Sequence, residues 1–310
     1  MMAVQPHALR RPFRARSVYR VLYKRLRLPR PLVHGLLSGA KRLAVASQVA
    51  RRRMLARNVG PDPAMALDET TAAQRFAPAD LPGAAETAAR CVELYRDYRA
   101  NARDRDALAR NPNKRFLLSV LAGDEFAAHP QLLRFMVSRP LLDAATRYLG
   151  TVPVVEGAAL WWTPPNDTVR ASQAWHIDEL AARQVKMLLN CLPVDADNGP
   201  VHFLPAALSE RLRAETGHRR GRFDDSRVEA TGVADKVQAS TGPAGSGVLL
   251  DSSRCLHYGS RGNRADRLVL TFHYLPIEAP TETRYRLQLE RLPEVLADLD
   301  ERQRLALGFG

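Results

Sequence analysis

Acidic residues are missing from the first fifth of this chain. Residues 1–61 hold 15 Lys and Arg and no Asp or Glu, although the 310-residue chain has 33 acidic and 46 basic residues. The formal charge of +13 therefore belongs to an N-terminal arm, and the remainder is close to neutral. Cysteine is scarce. Cys91, Cys191 and Cys255 form no C-x-x-C or zinc-like spacing, which excludes a disulfide framework and points to a reduced, cytoplasmic chain. No apolar run approaches the roughly 18 residues that a membrane-spanning helix needs. No Ser or Cys sits in a recognisable nucleophile elbow, so a hydrolytic triad finds no support.

The arm is patterned. From 16 to 28, Arg16, Arg20, Lys24 and Arg27 share one helical face with Tyr19, Leu22, Tyr23 and Leu26 opposite, until Pro29 and Pro31 stop the helix. A second amphipathic segment runs from about Leu32 to Asn58. Such helices suit an anionic membrane surface, at which the protein would sit peripherally. They also suit nucleic acid or an Arg-rich presequence, or they form a solvated, loosely docked arm. Nucleic acid ranks lowest, because the body offers no matching basic patch or stacking-aromatic motif. Gly60-Pro61-Asp62-Pro63 reads as a linker, which divides the chain into an arm (1–60) and a catalytic body (61–310).

The body begins helical, with helices expected at Pro82–Arg110, Pro130–Ser138 and Pro140–Leu149, the last closed by Gly150. Strand-like runs follow at Val152–Trp162, Val185–Leu192, Val201–Leu204, Lys236–Ala239, Gly247–Leu250 and Leu268–Tyr274. Helices first and many short strands afterwards imply a mainly β fold, an antiparallel barrel or jelly roll with a helical buttress.

Ala174-Trp175-His176-Ile177-Asp178-Glu179 carries the chemistry. On a strand, His176 and Asp178 point to one face while Trp175 and Ile177 pack behind. One imidazole and one carboxylate are two-thirds of a 2-His-1-carboxylate facial triad, the arrangement that leaves open positions for a cosubstrate and O2 on Fe(II). His257, about 80 residues later at the end of a glycine-led strand, is the candidate third ligand. Ten residues further, Arg267 opens a strand on which Arg267, Val269, Thr271 and His273 share a face. An inward arginine is costly unless it meets an anion, and a guanidinium matches a carboxylate such as the far end of 2-oxoglutarate. His273 lies roughly 20 Å further along that strand at about 3.3 Å per residue, too far to be a ligand as well. On the Val185 strand Lys186, Leu188 and Asn190 share a face; Asn190 is the preferred cosubstrate contact and Lys186 is read as nearly as apt to be solvated. His202 is read as a packed or surface histidine. Of Trp161 and Trp162, one is expected in the core and the other beside the substrate.

The order of these motifs resembles the phytanoyl-CoA dioxygenase-like family over roughly residues 115–276. It is carried by His176-x-Asp178, Asp197-Asn198-Gly199-Pro200, Phe203-Leu204-Pro205, the strand leading to His257, and then Asn263 and Arg267. The entry segment from Arg139 to Gly150 and Gln173, just ahead of Trp175-His176, also fit. The resemblance implies a double-stranded β-helix, Fe(II) on His176, Asp178 and His257, and 2-oxoglutarate anchored by Arg267, with Gln173 near by. It further implies an O2-dependent dioxygenase that hydroxylates a small-molecule or lipid-like substrate and releases succinate and CO2. Two positions depart from the family's pattern. Ala206-Ala207-Leu208 stands where relatives read Gly-Ser-His, and Ile177 stands where many carry a polar residue. The competing reading is a non-catalytic metal-binding β-barrel docked through its basic arm.

Overall fold

A computed structural model describes residues 15–62, 65–101, 115–218 and 221–310. Its strands form a six-stranded antiparallel sheet and a three-stranded one. The strands are β1 (Ala73–Phe76), β2 (Leu118–Ala122), β3 (Val154–Thr163), β4 (Val185–Asn190), β5 (Val201–Phe203), β6 (Gln238–Ser240), β7 (Gly247–Leu250), β8 (His257–Tyr258) and β9 (Arg267–Leu275). The large sheet runs β1-β7-β4-β9-β3-β2 and the small one β6-β5-β8. Gly247 allows the close approach of β7 to β4, since a Cβ there would lie 2.1 Å from the Leu188 carbonyl oxygen.

The helices of seven or more described residues are α1 (Arg30–Ala44), α2 (Ala46–Ala56), α3 (Ala84–Ala100), α4 (Pro130–Met136), α5 (Arg139–Leu149) and α6 (Ala206–Glu215). Gly150 closes α5 in the left-handed region at φ 67°, as its position after a helical run predicts. The alternation in β9 separates two environments. Leu268, Leu270, Phe272 and Tyr274 face the helices, with the Tyr274 hydroxyl donating to the Met136 carbonyl at 2.7 Å. Arg267, Val269, Thr271 and His273 lie on the other face, and β4 pairs with β9 so that Lys186 stands opposite His273 and Asn190 opposite Val269.

Several expectations need correction. The His176–Asp178 segment is not the start of a regular strand. It is extended, and it joins its neighbours through single bridges, Trp175 with Phe223 and His176 with His257. The helix expected at Pro82–Arg110 is described only as α3, its last part lying outside the described residues. The expected 16–28 helix is an α-helical turn, Ala15–Tyr19, continued by a π-helical one, Arg20–Arg25, and the Leu32–Asn58 segment divides at Val45 into α1 and α2.

The described part of the arm packs on the body. Arg52 is buried and donates to the carbonyls of Val152, Pro153 and Leu305 at 2.8–3.1 Å. Lys41 donates to the Ala279 carbonyl at 2.9 Å, and Arg51 pairs with Glu301 at 2.6 Å. Each arm helix thus commits several basic side chains to carbonyls and acids of the body. No helix among the described residues is long and apolar enough to cross a membrane.

Candidate active site

His176, Asp178 and His257 converge, each offering a ligand atom within 4.8 Å of the other two. Mutual backbone bonds between His176 and His257, at 2.9 and 3.0 Å, hold the two histidines side by side, and the Asp178 amide donates to the Ser252 carbonyl at 2.7 Å. Trp175 packs behind in a cluster with Leu204, Leu212, Phe223 and Leu256, with Ile177 against it, so the side chains divide as period-two geometry requires.

Each imidazole is pinned through Nδ1, His176 to the Ala174 carbonyl at 2.9 Å and His257 to the Cys255 carbonyl at 3.0 Å. A carbonyl can only accept, so both Nδ1 atoms carry the proton and both Nε2 atoms present a lone pair. These Nε2 atoms lie 3.9 and 3.8 Å from the two oxygens of Asp178, and that of His257 is buried without a hydrogen-bond partner. Two neutral imidazoles and a carboxylate with fixed tautomers fit a divalent metal such as iron.

The electrostatics agree. Burial, reinforced by His257, lowers the His176 pKa to about 3, and burial lowers that of His257. Burial also pushes the Asp178 carboxyl upward, but Lys186 first, then His257 and His176, hold it well below the usual carboxylate range. Lys186 is not left to solvent, since its ammonium sits 3.1 Å from Asp178 Oδ2. The available signal was a lysine inside the apolar run Val185-Lys186-Met187-Leu188-Leu189.

Arg267 is buried at the start of β9. Its one side-chain bond is to Ser260 Oγ at 3.0 Å, its Nε has no partner, and no acid pairs with it among the described residues. Burial lowers its pKa to about 10. Ser260 is held in turn by Thr163 at 3.1 Å and, through its carbonyl, by Gln173 at 2.5 Å. Gln173 spends its remaining side-chain bonds on Asn166, Thr168 and the Arg170 amide. It therefore shapes the loop that carries Ser260. Asn190 donates to the Ser240 carbonyl and Ser246 Oγ, both at 3.3 Å, which ties β4 to the turn before β7. His273, whose pKa burial lowers to about 3, is no member of the triad. His202 stacks on Tyr258 at 4.7 Å. Trp162 packs outward on Tyr95 and Tyr98, while Trp161 bonds Thr271 at 3.1 Å from the opposite face.

A cleft of about 1380 Å³ opens in front of His176 and Asp178. One wall is the arm, where Arg30 donates to the carbonyls of Ser253, Asp178 and Ala181 at 2.9–3.3 Å and Tyr23 donates to Glu179 at 2.8 Å. Sequence reasoning missed these contacts, since periodicity shows a cationic face and not the carbonyls it will reach. The opposite wall is α6, which begins at Ala206, where the sequence departs from the family's Gly-Ser-His.

No family model and no curated protein matches the chain. Among solved structures, EctD from S. alaskensis with 2-oxoglutarate and 5-hydroxyectoine aligns over 78% of this chain and 85% of its own, at 18% identity and a TM-score of 0.51. The same protein with bound Fe aligns over 76% and 88%, at 18% identity and a TM-score of 0.49. AviO1 from Streptomyces viridochromogenes Tue57 aligns over 73% and 99%, at 14% identity and a TM-score of 0.45. At such identity the likeness to EctD with 2-oxoglutarate speaks for a shared fold alone.

Proposed function

We propose that this chain is an Fe(II)- and 2-oxoglutarate-dependent oxygenase of the phytanoyl-CoA dioxygenase-like type, built on a double-stranded β-helix. The carrying observation is the pairing of two unmet needs in one interior. Three ligand atoms lie within 4.8 Å with their lone pairs presented, and a buried guanidinium lacks a counter-charge. A metal answers the first need and a dicarboxylate the second. The topology supports the fold: His176 bridges the free side of β8, which extends the β6-β5-β8 sheet by a fourth rung opposite β7-β4-β9-β3.

His176, Asp178 and His257 would hold the iron, and Arg267, steadied by Ser260, would receive the far carboxylate of 2-oxoglutarate. When bound, the iron and 2-oxoglutarate activate O2, with succinate and CO2 as coproducts and hydroxylation of the substrate as the outcome. Lys186 keeps Asp178 ionised, the two backbone carbonyls keep the imidazoles neutral, and the Trp175 cluster keeps water from one side. Reconstituted with Fe(II) in air, the full chain should convert 2-oxoglutarate slowly to succinate even without a substrate, and Asp178→Ala should abolish it. Metal uptake without any succinate would sink the reading. A non-catalytic metal-binding barrel would use the same three ligands. It leaves the buried Arg267 without a purpose.

A further inference from the structure

The charges around the cleft are unequal in what they still have to give. Asp178, Glu179 and Glu210 face it, and all three are engaged: with Lys186 at 3.1 Å, the Tyr23 hydroxyl at 2.8 Å and Arg254 at 2.7 Å. Lys24, Arg27, Arg30, Arg213 and Arg222 also line it. Arg30 is committed to three carbonyls and Arg222 to the carbonyl of Ala171. Arg213, on the inner side of α6, is half-buried and makes no side-chain hydrogen bond or ion pair among the described residues. Burial lowers its pKa and Arg30 beside it adds to the effect, while Tyr23, Glu210 and Glu179, which already have partners of their own, offset only part of it. A cation withdrawn from water without a partner is costly, and an arriving oxyanion removes that cost while matching the guanidinium fork.

We propose that the cleft takes an anionic substrate whose phosphate or carboxylate group seats on Arg213, with Lys24 of the arm on the same cleft. That the bound anion is a substrate rests on the oxygenase reading; that an anion binds there does not. Metal-free full-length chain, in which no probe can chelate iron, is titrated calorimetrically with inorganic pyrophosphate and, separately, with citrate. At least one should bind. Arg213→Gln should weaken it tenfold or more, Arg213→Lys, which keeps the charge and loses the fork, should weaken it less than Arg213→Gln does, and Arg264→Gln, on the exposed surface, should change nothing. Which probe binds tells phosphate from carboxylate. No binding of either probe, or unchanged affinity in Arg213→Gln, overturns the proposal, and so does binding lost in Arg267→Met alone, which would report the cosubstrate pocket. The iron–2-oxoglutarate absorption of the parent is recorded independently, so its absence would refute the oxygenase reading and leave the anion site standing.

The outer face of the arm carries a second, independent inference. Of the eight exposed large hydrophobic residues among the described ones, six lie here: Val21, Leu26, Leu32, Leu36, Leu43 and Met54. Leu32, Leu36 and Leu43 share one face of α1, away from the buried Val33 and His34. Leu43, Val49 and Met54 line an apolar groove of about 460 Å³ edged by Arg42, Arg53 and Arg57. With no acid in residues 1–61, this face complements negative charge. We propose that it docks on an anionic lipid bilayer. Deleting the arm would not test this, because Tyr23, Val33, Val49 and Arg52 belong to the packed interior. Instead, the full chain is sedimented with phosphatidylcholine vesicles with and without phosphatidylserine, beside a Leu36→Ser/Leu43→Ser variant. The parent should pellet with the anionic vesicles and the variant should stay in solution. Equal recovery of parent and variant, or a concentration-dependent dimer through the same leucines without lipid, overturns it.

Discussion

Replacing Arg267 by methionine should raise the stability of the ligand-free protein while destroying its affinity for 2-oxoglutarate. Burial lowers this guanidinium's pKa from 12.5 to about 10. At roughly 1.4 kcal/mol per pH unit, that is a cost of about 3 kcal/mol carried by the folded state. Arg267→Met removes the cost and forfeits the hydrogen bond to Ser260, worth about 1 kcal/mol, with little change in volume. The net gain of about 2 kcal/mol should raise Tm by roughly 3 °C in a chain of this size. Conversely, truncating one partner of a buried charge pair costs about 2–5 kcal/mol, so cosubstrate affinity should fall by roughly 30-fold or more. Thermal unfolding followed by circular dichroism reads the first effect. Calorimetric titration of 2-oxoglutarate into protein loaded with a redox-silent divalent cation reads the second. The opposite signs are the test. If stability and cosubstrate affinity fall together, or affinity is untouched, Arg267 is a structural residue and the reasoning fails.

Lys186→Met removes the ammonium beside Asp178. It should destabilise the metal-free protein by about 3 kcal/mol, because the carboxylate loses its partner, and strengthen divalent-cation binding by about tenfold or more, because a like charge is gone; weaker metal binding would refute this. Arg52→Ala leaves three carbonyls without a donor and should cost about 3 kcal/mol in a denaturant titration, so a loss below about 1 kcal/mol would contradict the arm's docking. His34, whose pKa burial lowers to about 3, stays neutral in the fold while the unfolded chain takes up a proton as pH falls through 6.5. Stability is therefore lost below pH 6.5, and His34→Gln should flatten that loss by about 1.4 kcal/mol per pH unit between pH 6 and 4. Parallel stability curves for the parent and His34→Gln would count against it.

The parts of this architecture legible in the sequence are those in which one local rule decides. Gly247–Leu250 is a strand with the expected bounds, and the alternation through Arg267–Leu275 correctly separates a helix-facing from an interior face. His176 and Asp178 share a face even though the segment forms only bridges, because extended backbone suffices for that geometry. What escaped depends on partners far along the chain. β8 is two residues long and β1 reads Ala-Gln-Arg-Phe, so neither carries a periodic signal, and each exists only because a neighbour pairs with it. The arm's arginines look alike in sequence, yet Arg30 and Arg52 point inward to named carbonyls while Arg42 and Arg57 stay outside. The amides of Gln173 and Asn190 are engaged with loop and turn groups that no spacing rule brings into view.

The most direct test is an anaerobic titration of the apoprotein with Fe(II) and 2-oxoglutarate, followed in the visible. Chelation of the keto acid to ferrous iron produces a metal-to-ligand charge-transfer band. The account predicts that the band appears in the parent, is lost in His176→Ala and His257→Ala, and requires far more 2-oxoglutarate in Arg267→Met. Iron uptake with no band at saturating 2-oxoglutarate would contradict it.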